Sequence, residues 1–180
     1  MEKIIERIEE ELKDVAKGKR RVPLREKLGE EITVYFSQVV ICALQWSSVG
    51  YQSALRFAGM KLGRRIGEQS DKTEFSLVLE EIKRIIKSLR GGKVVTEIFP
   101  EEKGAQLTIL NSPLTKGLPN VLQKLCFFEE GFIEGYFDGV IAKKGPLSLA
   151  GEKFTVKEVS VNERKCIGLG DDCCEFLIKF

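Results

Sequence analysis

Halfway along the chain the spacing of apolar residues changes from a helical to a strand period, and Gly91-Gly92 marks the change. Before it, Phe75, Val78, Leu79, Ile82, Ile85, Ile86 and Leu89 recur at three- and four-residue steps, the pattern of one helix face, and the two glycines supply its stop. After it, KVVTEIF (93–99) and GAQLTIL (104–110) are rich in β-branched residues and joined through Pro100 and Gly104, which predicts a hairpin. A chain that orders its periods in this way cannot be a helical bundle or a β-sandwich. It predicts an α+β fold in which helices cover an antiparallel sheet.

The rest of the chain fits that frame. Ile4, Ile5, Ile8, Leu12 and Val15 predict an amphipathic helix ending near Gly18, and residues 49–68 a glycine-rich one. FFEEGFIEGYFDGVIA, from Phe127 to Ala142, is helical in period with Gly131, Gly135 and Gly139 four apart. Each glycine costs about 1 kcal/mol relative to Ala in a helix, so something must approach this ridge closely. The expected partner is the helix's own sheet, with a bound ligand as the alternative. KFTVKEVSV (153–161) and CCEFLIKF (173–180) predict two closing strands. The expected order is therefore N-terminal helices followed by β-β-α-β-β. The 180 residues are expected to form one domain, mainly helical over 1–90 and sheet over 91–180.

Composition closes off several functions. The chain has no His, so Ser-His-Asp and Cys-His catalysis, HExxH chemistry and imidazole metal ligation are excluded. A net charge of +2 leaves no electrostatic footprint for nucleic acid. Residues 32–55 lack charge altogether, but Gln38, Gln45, Gln52, Thr33 and four serines interrupt the run, so it predicts a helix in the core or in a subunit interface and not a membrane span. The charged N-terminus resembles no secretory or transit signal, and a cytoplasmic location follows as the expectation. Five cysteines in a reducing compartment point to metal before disulfides.

The cysteines gather near the C-terminus. Glu163 to Cys174 reads E-x-x-C-x-G-x-G-D-x-x-C, and Gly168 and Gly170 allow the turn that lets Cys166 and Cys174 face one another. Strand alternation puts Cys174 on the face of Phe176 and Ile178, and Cys173 on the opposite, outward face. Cys126, at the start of the glycine-ridge helix, can complete a set of three thiolates and a carboxylate. Such a set suits Zn²⁺, and Arg164, Lys165 or the amides of the glycine turn could offset its excess negative charge. On spacing alone the alternative stands: Cys126 and Cys174 as buried small hydrophobes, with Glu163 a surface charge.

The segments LTILNSPLTKGLPNVLQKLCFFEEGFIEGYFDG and VNERKCIGLGDDCCEF together resemble the 4-vinyl reductase-type domain family, with its C-x-x-x-x-G-x-x-x-G, E-x-x-C and G-D-x-x-C-x-F elements. GYQSALRFAGMKLGRRIGE is similar to that family's upstream Gly-rich helix. The resemblance implies kinship with TRAPP tethering subunits and with phenol-sensor modules. It further implies a structural zinc at Cys126, Glu163, Cys166 and Cys174.

Three functions follow as expectations. The first is a homodimeric binding domain for a hydrophobic small molecule, its pocket lined by Trp46, Tyr51, Phe57, Phe132 and Tyr136. The second is a scaffold like the TRAPP subunits, with another protein as partner. The third is a role in tetrapyrrole 4-vinyl reduction. Haem is not expected without a proximal His, nor nicotinamide or flavin, since Gly59-x-x-x-Gly63 lacks the dinucleotide fingerprint and no residue here carries hydride chemistry.

Overall fold

The computed structural model describes residues 12–19, 50–113, 115, 120, 122–149, 151 and 153–180. Residues 12–16 are helical and turn at Gly18, with Leu12, Val15 and Ala16 buried. Helix α1 spans Gly50–Gly67 and α2 Phe75–Arg90. The hairpin is formed by strands β1 (Lys93–Phe99) and β2 (Gly104–Leu110), joined by a one-turn 3₁₀ helix at Pro100–Glu102. Helix α3, the glycine-ridge helix, runs Phe127–Lys144. Four strands follow it: β3 (Leu147–Leu149), β4 (Phe154–Val156), β5 (Ser160–Lys165) and β6 (Cys174–Lys179).

The α+β class stands as expected. The main sheet is wholly antiparallel in the order β1-β2-β6-β5, and β3 and β4 form a separate two-stranded ribbon. One inner face carries Val94, Ala105, Leu107, Ile109, Phe176, Ile178 and Val161 into the core, where they meet the buried stripe of α2 and the buried residues of α3. Phe75 stacks on Phe137 with ring centroids 4.8 Å apart, locking the start of α2 to α3. Gly91 caps α2 at a φ of 67°, its N–H bonded to the Lys87 carbonyl.

Two expectations change. KFTVKEVSV is not one strand but the whole of β4, a break at 157–159, and the start of β5. The reason is parity: Phe154 and Val156 are even-numbered, whereas the buried Val159 and Val161 are odd-numbered, and no single strand buries both sets on one face. The second change concerns the ridge. Its partner is α1 and not the sheet. A methyl group at Gly131, Gly135 or Gly139 would land on the carbonyl oxygens of Arg56, Met60 and Arg64, and one at Gly59, Gly63 or Gly67 on those of Phe128, Phe132 and Tyr136. Two bare ridges interleave, each approaching the backbone of the other helix, a geometry that favours weak Cα–H···O contacts.

Among the described residues no helix is long and apolar enough to cross a membrane. Residues 20–49, and with them most of the uncharged run, Cys42 and Trp46, lie outside the described residues.

Candidate metal centre

Three elements converge at one end of the sheet. β6 begins at Cys174, opposite Ile109 of β2, and directs its sulfur into the core beside Phe176. β5 contributes Glu163, which pairs across the ladder with Phe176. Cys166 lies three residues further on, a spacing that in a regular strand would put it on the opposite face. The register of β5 against β6 shifts between Glu163 and Lys165, and this irregularity resets the parity so that both Glu163 and Cys166 point inward. Cys126 immediately precedes α3. The donor atoms of Cys126, Glu163, Cys166 and Cys174 all lie within 4.8 Å of one another, and all four residues are buried.

The turn between β5 and β6 is built to hold this arrangement. The Cys166 carbonyl accepts from Leu169 N at 2.8 Å and from Asp171 N at 3.2 Å, and Cys166 N donates back to Asp171 Oδ2 at 2.8 Å. Asp171 therefore pins both ends of the turn. Gly170 takes a φ of 92°, which a residue with a Cβ adopts only under strain. At Gly168 a side chain would strike the Gln123 carbonyl and Leu125, so the absence of one lets the segment before α3 close over the turn. From that segment Leu125 N donates to Cys166 Sγ at 3.3 Å, and Lys124 donates to the Glu163 carbonyl.

Four acidic or thiol groups so close together cannot all ionise without a cation. Both carboxylate oxygens of Glu163 are buried and lack a hydrogen-bond partner among the described residues. Burial, reinforced by the Cys166 sulfur, pushes the Glu163 pKa up to about 9 in the metal-free protein. Cys126 and Cys174 lie 3.4 Å apart, sulfur to sulfur. Hydrogen bonds from Cys126 and Cys166 bring the Cys174 thiol down, and hydrogen bonding to Cys166 and then to Cys174, with burial, raises Cys126 well above the ordinary range. The chemistry fits a metal. A tetrahedron with arms of ~2.0–2.3 Å has edges of roughly 3.3–3.8 Å, close to the observed sulfur separation, and three thiolates select soft ions.

The surroundings differ from those expected. Arg164 is exposed, and Lys165, half-exposed, pairs with Glu175 at 3.3 Å on the outer side of the sheet, so neither offsets the charge of the cluster. The charged neighbours are Lys124 and the buried pair of Arg90 and Glu129, joined at 2.9 Å. Arg90 ends α2, far off in sequence, and only its place on the mostly apolar buried face of that helix could have marked it. Cys173 also differs: it precedes β6 and is only 5% exposed, where an outward position predicts an open one, with Asp172, Lys165 and Glu175 as its charged neighbours. Burial, helped by Asp172, raises its pKa to about 11.

Of the five aromatic residues expected to line a pocket, the four described ones are dispersed. Phe132 and Tyr136 are fully packed in the core, 6.0 Å apart by ring centroids, and the Tyr136 hydroxyl donates to buried Glu81 at 2.9 Å. Tyr51 is half-buried, and Phe57 is 56% exposed with Lys61 over its ring. Trp46 lies outside the described residues. Two surface grooves, of about 580 Å³ beside Arg64 and Lys143 and about 350 Å³ beside Phe154 and Phe180, include none of these aromatics.

No protein-family model matches the chain. Two uncharacterized proteins of Methanocaldococcus jannaschii are similar to it: one is 27% identical over 158 residues, 87% of this chain and 81% of the relative. The other is 22% identical over 156 residues, 86% and 81% of the two chains. Among solved structures, a trafficking protein particle complex subunit 3 from Naegleria fowleri, covalently bound to palmitic acid, superposes with a TM-score of 0.57 at 18% identity, over 85% of this chain and 95% of that one. The phenol-responsive sensory domain of the transcription activator PoxR, crystallised with phenol, matches at 0.54 and 15% identity, over 79% and 73%. A vinyl-4-reductase family protein from M. jannaschii matches at 0.51 and 19% identity, over 99% and 96%. The chain thus has the fold that a vinyl-4-reductase family protein, a TRAPP subunit and a phenol-sensing domain share.

Proposed function

We propose that the protein is a binding domain for a hydrophobic or aromatic small molecule, regulatory in role and homodimeric, whose sheet is fastened to α3 by a structural zinc ion on Cys126, Glu163, Cys166 and Cys174. The observation that carries the metal half is the Glu163 carboxylate, buried without a partner among three cysteine sulfurs. A buried carboxylate in that position is costly unless it meets a cation. Four protein donors close a tetrahedral ion and leave no position for substrate, so the ion's work is to tie the β5–β6 turn to the start of α3. The ligand half draws support from two proteins of the same fold that carry apolar molecules, palmitic acid in one and phenol in the other.

The test is native mass spectrometry and elemental analysis of protein purified without chelator, followed by thermal shifts with phenol and with palmitate. One zinc per chain and a stabilising shift with either probe are expected. Zinc at trace level overturns the metal half, and no shift with either probe overturns the ligand half. A second reading, as a scaffold subunit, is favoured by the exposed apolar side chains of Phe57 on α1 and Leu77 on α2, 56% and 46% exposed. A stable hetero-complex in pull-down, with no response to either probe, would select it.

A further inference from the structure

Arg90 closes α2 with its side chain only 5% exposed. Its Nη1 donates to Glu129 Oε1 at 2.9 Å, while Nε and Nη2 are buried with no hydrogen-bond partner among the described residues. The backbone holds it there: the Ser112 hydroxyl donates to the Arg90 carbonyl at 2.7 Å, and Gly91 caps the helix directly behind it. A guanidinium taken out of water with most of its donors idle is costly unless opposite charge surrounds it. Glu129 supplies one negative charge. Glu129 sits in the first turn of α3, the helix that directly follows Cys126, so the pair lies beside the cysteine cluster. Burial opposes the Arg90 charge, yet the nearby Cys126 sulfur, with Glu129 and Cys174, outweighs it and holds the Arg90 pKa above its ordinary value.

The charge requirement of the centre runs the other way. Three thiolates and a carboxylate around a dication leave a formal −2, inside a core of low dielectric. The start of α3 offsets part of it at Cys126, and the Leu125 amide part of it at Cys166. We infer that Arg90 is the buried counter-cation of the metal centre, a positioning residue held by Glu129 at the start of α3 and offsetting the negative charge that Cys126 and Cys174 bring to the ion. The inference rests on the metal reading above. It assigns a role to a residue some forty to eighty positions away from the ligands in sequence.

A structural ion pair and a counter-cation respond differently to removal of each partner. If Arg90 and Glu129 merely support the fold, losing either weakens the site alike. If Arg90 serves the metal, removing its charge weakens binding, whereas removing Glu129 frees that charge for the cluster. The experiment is zinc affinity by chelator competition at neutral pH, with the cobalt(II)–thiolate absorption band as a second readout, on the full chain and on Arg90→Gln, Arg90→Lys and Glu129→Gln. Arg90→Gln is expected to weaken zinc by roughly 10–100-fold, Arg90→Lys to recover most of that, and Glu129→Gln to bind at least as tightly as the parent. An Arg90→Gln affinity within about twofold of the parent overturns the inference, as does a Glu129→Gln loss about as large as the loss expected from Arg90→Gln. Should Arg90→Gln not fold, Glu129→Gln and Arg90→Lys decide by the same signs. A parent chain that binds no zinc overturns the metal reading itself, and this inference with it.

Discussion

Helix α3 is fastened twice, along its face and at its N-terminal end, by opposite means. Along the face, Gly131, Gly135 and Gly139 mesh with Gly59, Gly63 and Gly67 of α1, and the contact depends on the absence of side chains. At the end, Cys126 meets Glu163, Cys166 and Cys174, and the contact depends on particular donor atoms being present. The two are linked. Arg56, whose carbonyl seats Gly131, also pairs with Glu130 and Glu134 at 2.8 and 2.9 Å, and those carboxylates accept the outward N–H groups of Glu163 and Val161 on the edge of β5. The same two glutamates therefore shield a sheet edge and brace the strand that carries Glu163. A face made of backbone tolerates no addition, and an end made of donors tolerates no deletion.

The ridge should break hardest. Gly135→Leu is expected to yield no folded protein, because the side chain points at the backbone of Met60, which cannot move without parting α1 from α3. Gly135→Ala should destabilise by about 3 kcal/mol despite the ~1 kcal/mol that Ala gains in helix propensity, a sign reversal that thermal unfolding would show. An Ala variant as stable as the parent would mean that the helices do not approach so closely.

The end should yield next, and reversibly. Removing zinc with a chelator, or replacing Cys166 by Ser, is expected to cost about 4 kcal/mol where free zinc stands at a thousand times its dissociation constant. Urea unfolding with and without chelator measures it, and identical midpoints would deny the centre a structural role. The ridge variants, in contrast, should be indifferent to chelator.

How pH acts sharpens the same contrast. In the metal-free protein the Glu163 pKa stands at about 9, above its unfolded value, so the folded state holds the extra proton. That contribution is complete below the unfolded value, near pH 4.5, and fades as pH rises through about 9, whereas the Cys174 thiol, brought down to about 4, gains stability over the same range, so the chelated protein should show little net slope from pH 5 to 8. The zinc-loaded protein must keep its ligands deprotonated and should lose stability steeply on acidification. Parallel slopes for the two forms would contradict this.

The legible and illegible parts of the molecule divide along the range of the interaction that produces them. The hairpin at 93–110, α2 and its Gly91 stop follow from local periods and turn residues, and the structure holds them at those bounds. Both glycine ridges were visible singly, but nothing local told either helix that its partner was the other, so the sheet was the expected neighbour. The E-x-x-C spacing contained its own puzzle, because only the register shift in β5 lets residues three apart share a face. Arg90 escaped because a charge on a mostly apolar helix face says that a buried partner exists without saying where.

The smallest effect tests that last point directly. Lys165 adjoins Cys166 in sequence, and sequence alone nominates it to balance the proposed centre. In space it leans over the outer face to Glu175, half-exposed, across the sheet from the cluster. A solvent-screened pair of this kind contributes little. Lys165→Gln should therefore leave zinc affinity unchanged and move the unfolding midpoint only slightly, where loss of the remote Arg90 charge weakens the metal strongly. If Lys165→Gln instead loosened zinc as much as Arg90→Gln, charge at the centre would be set by proximity along the chain, and the buried guanidinium would need another reason to be where it is.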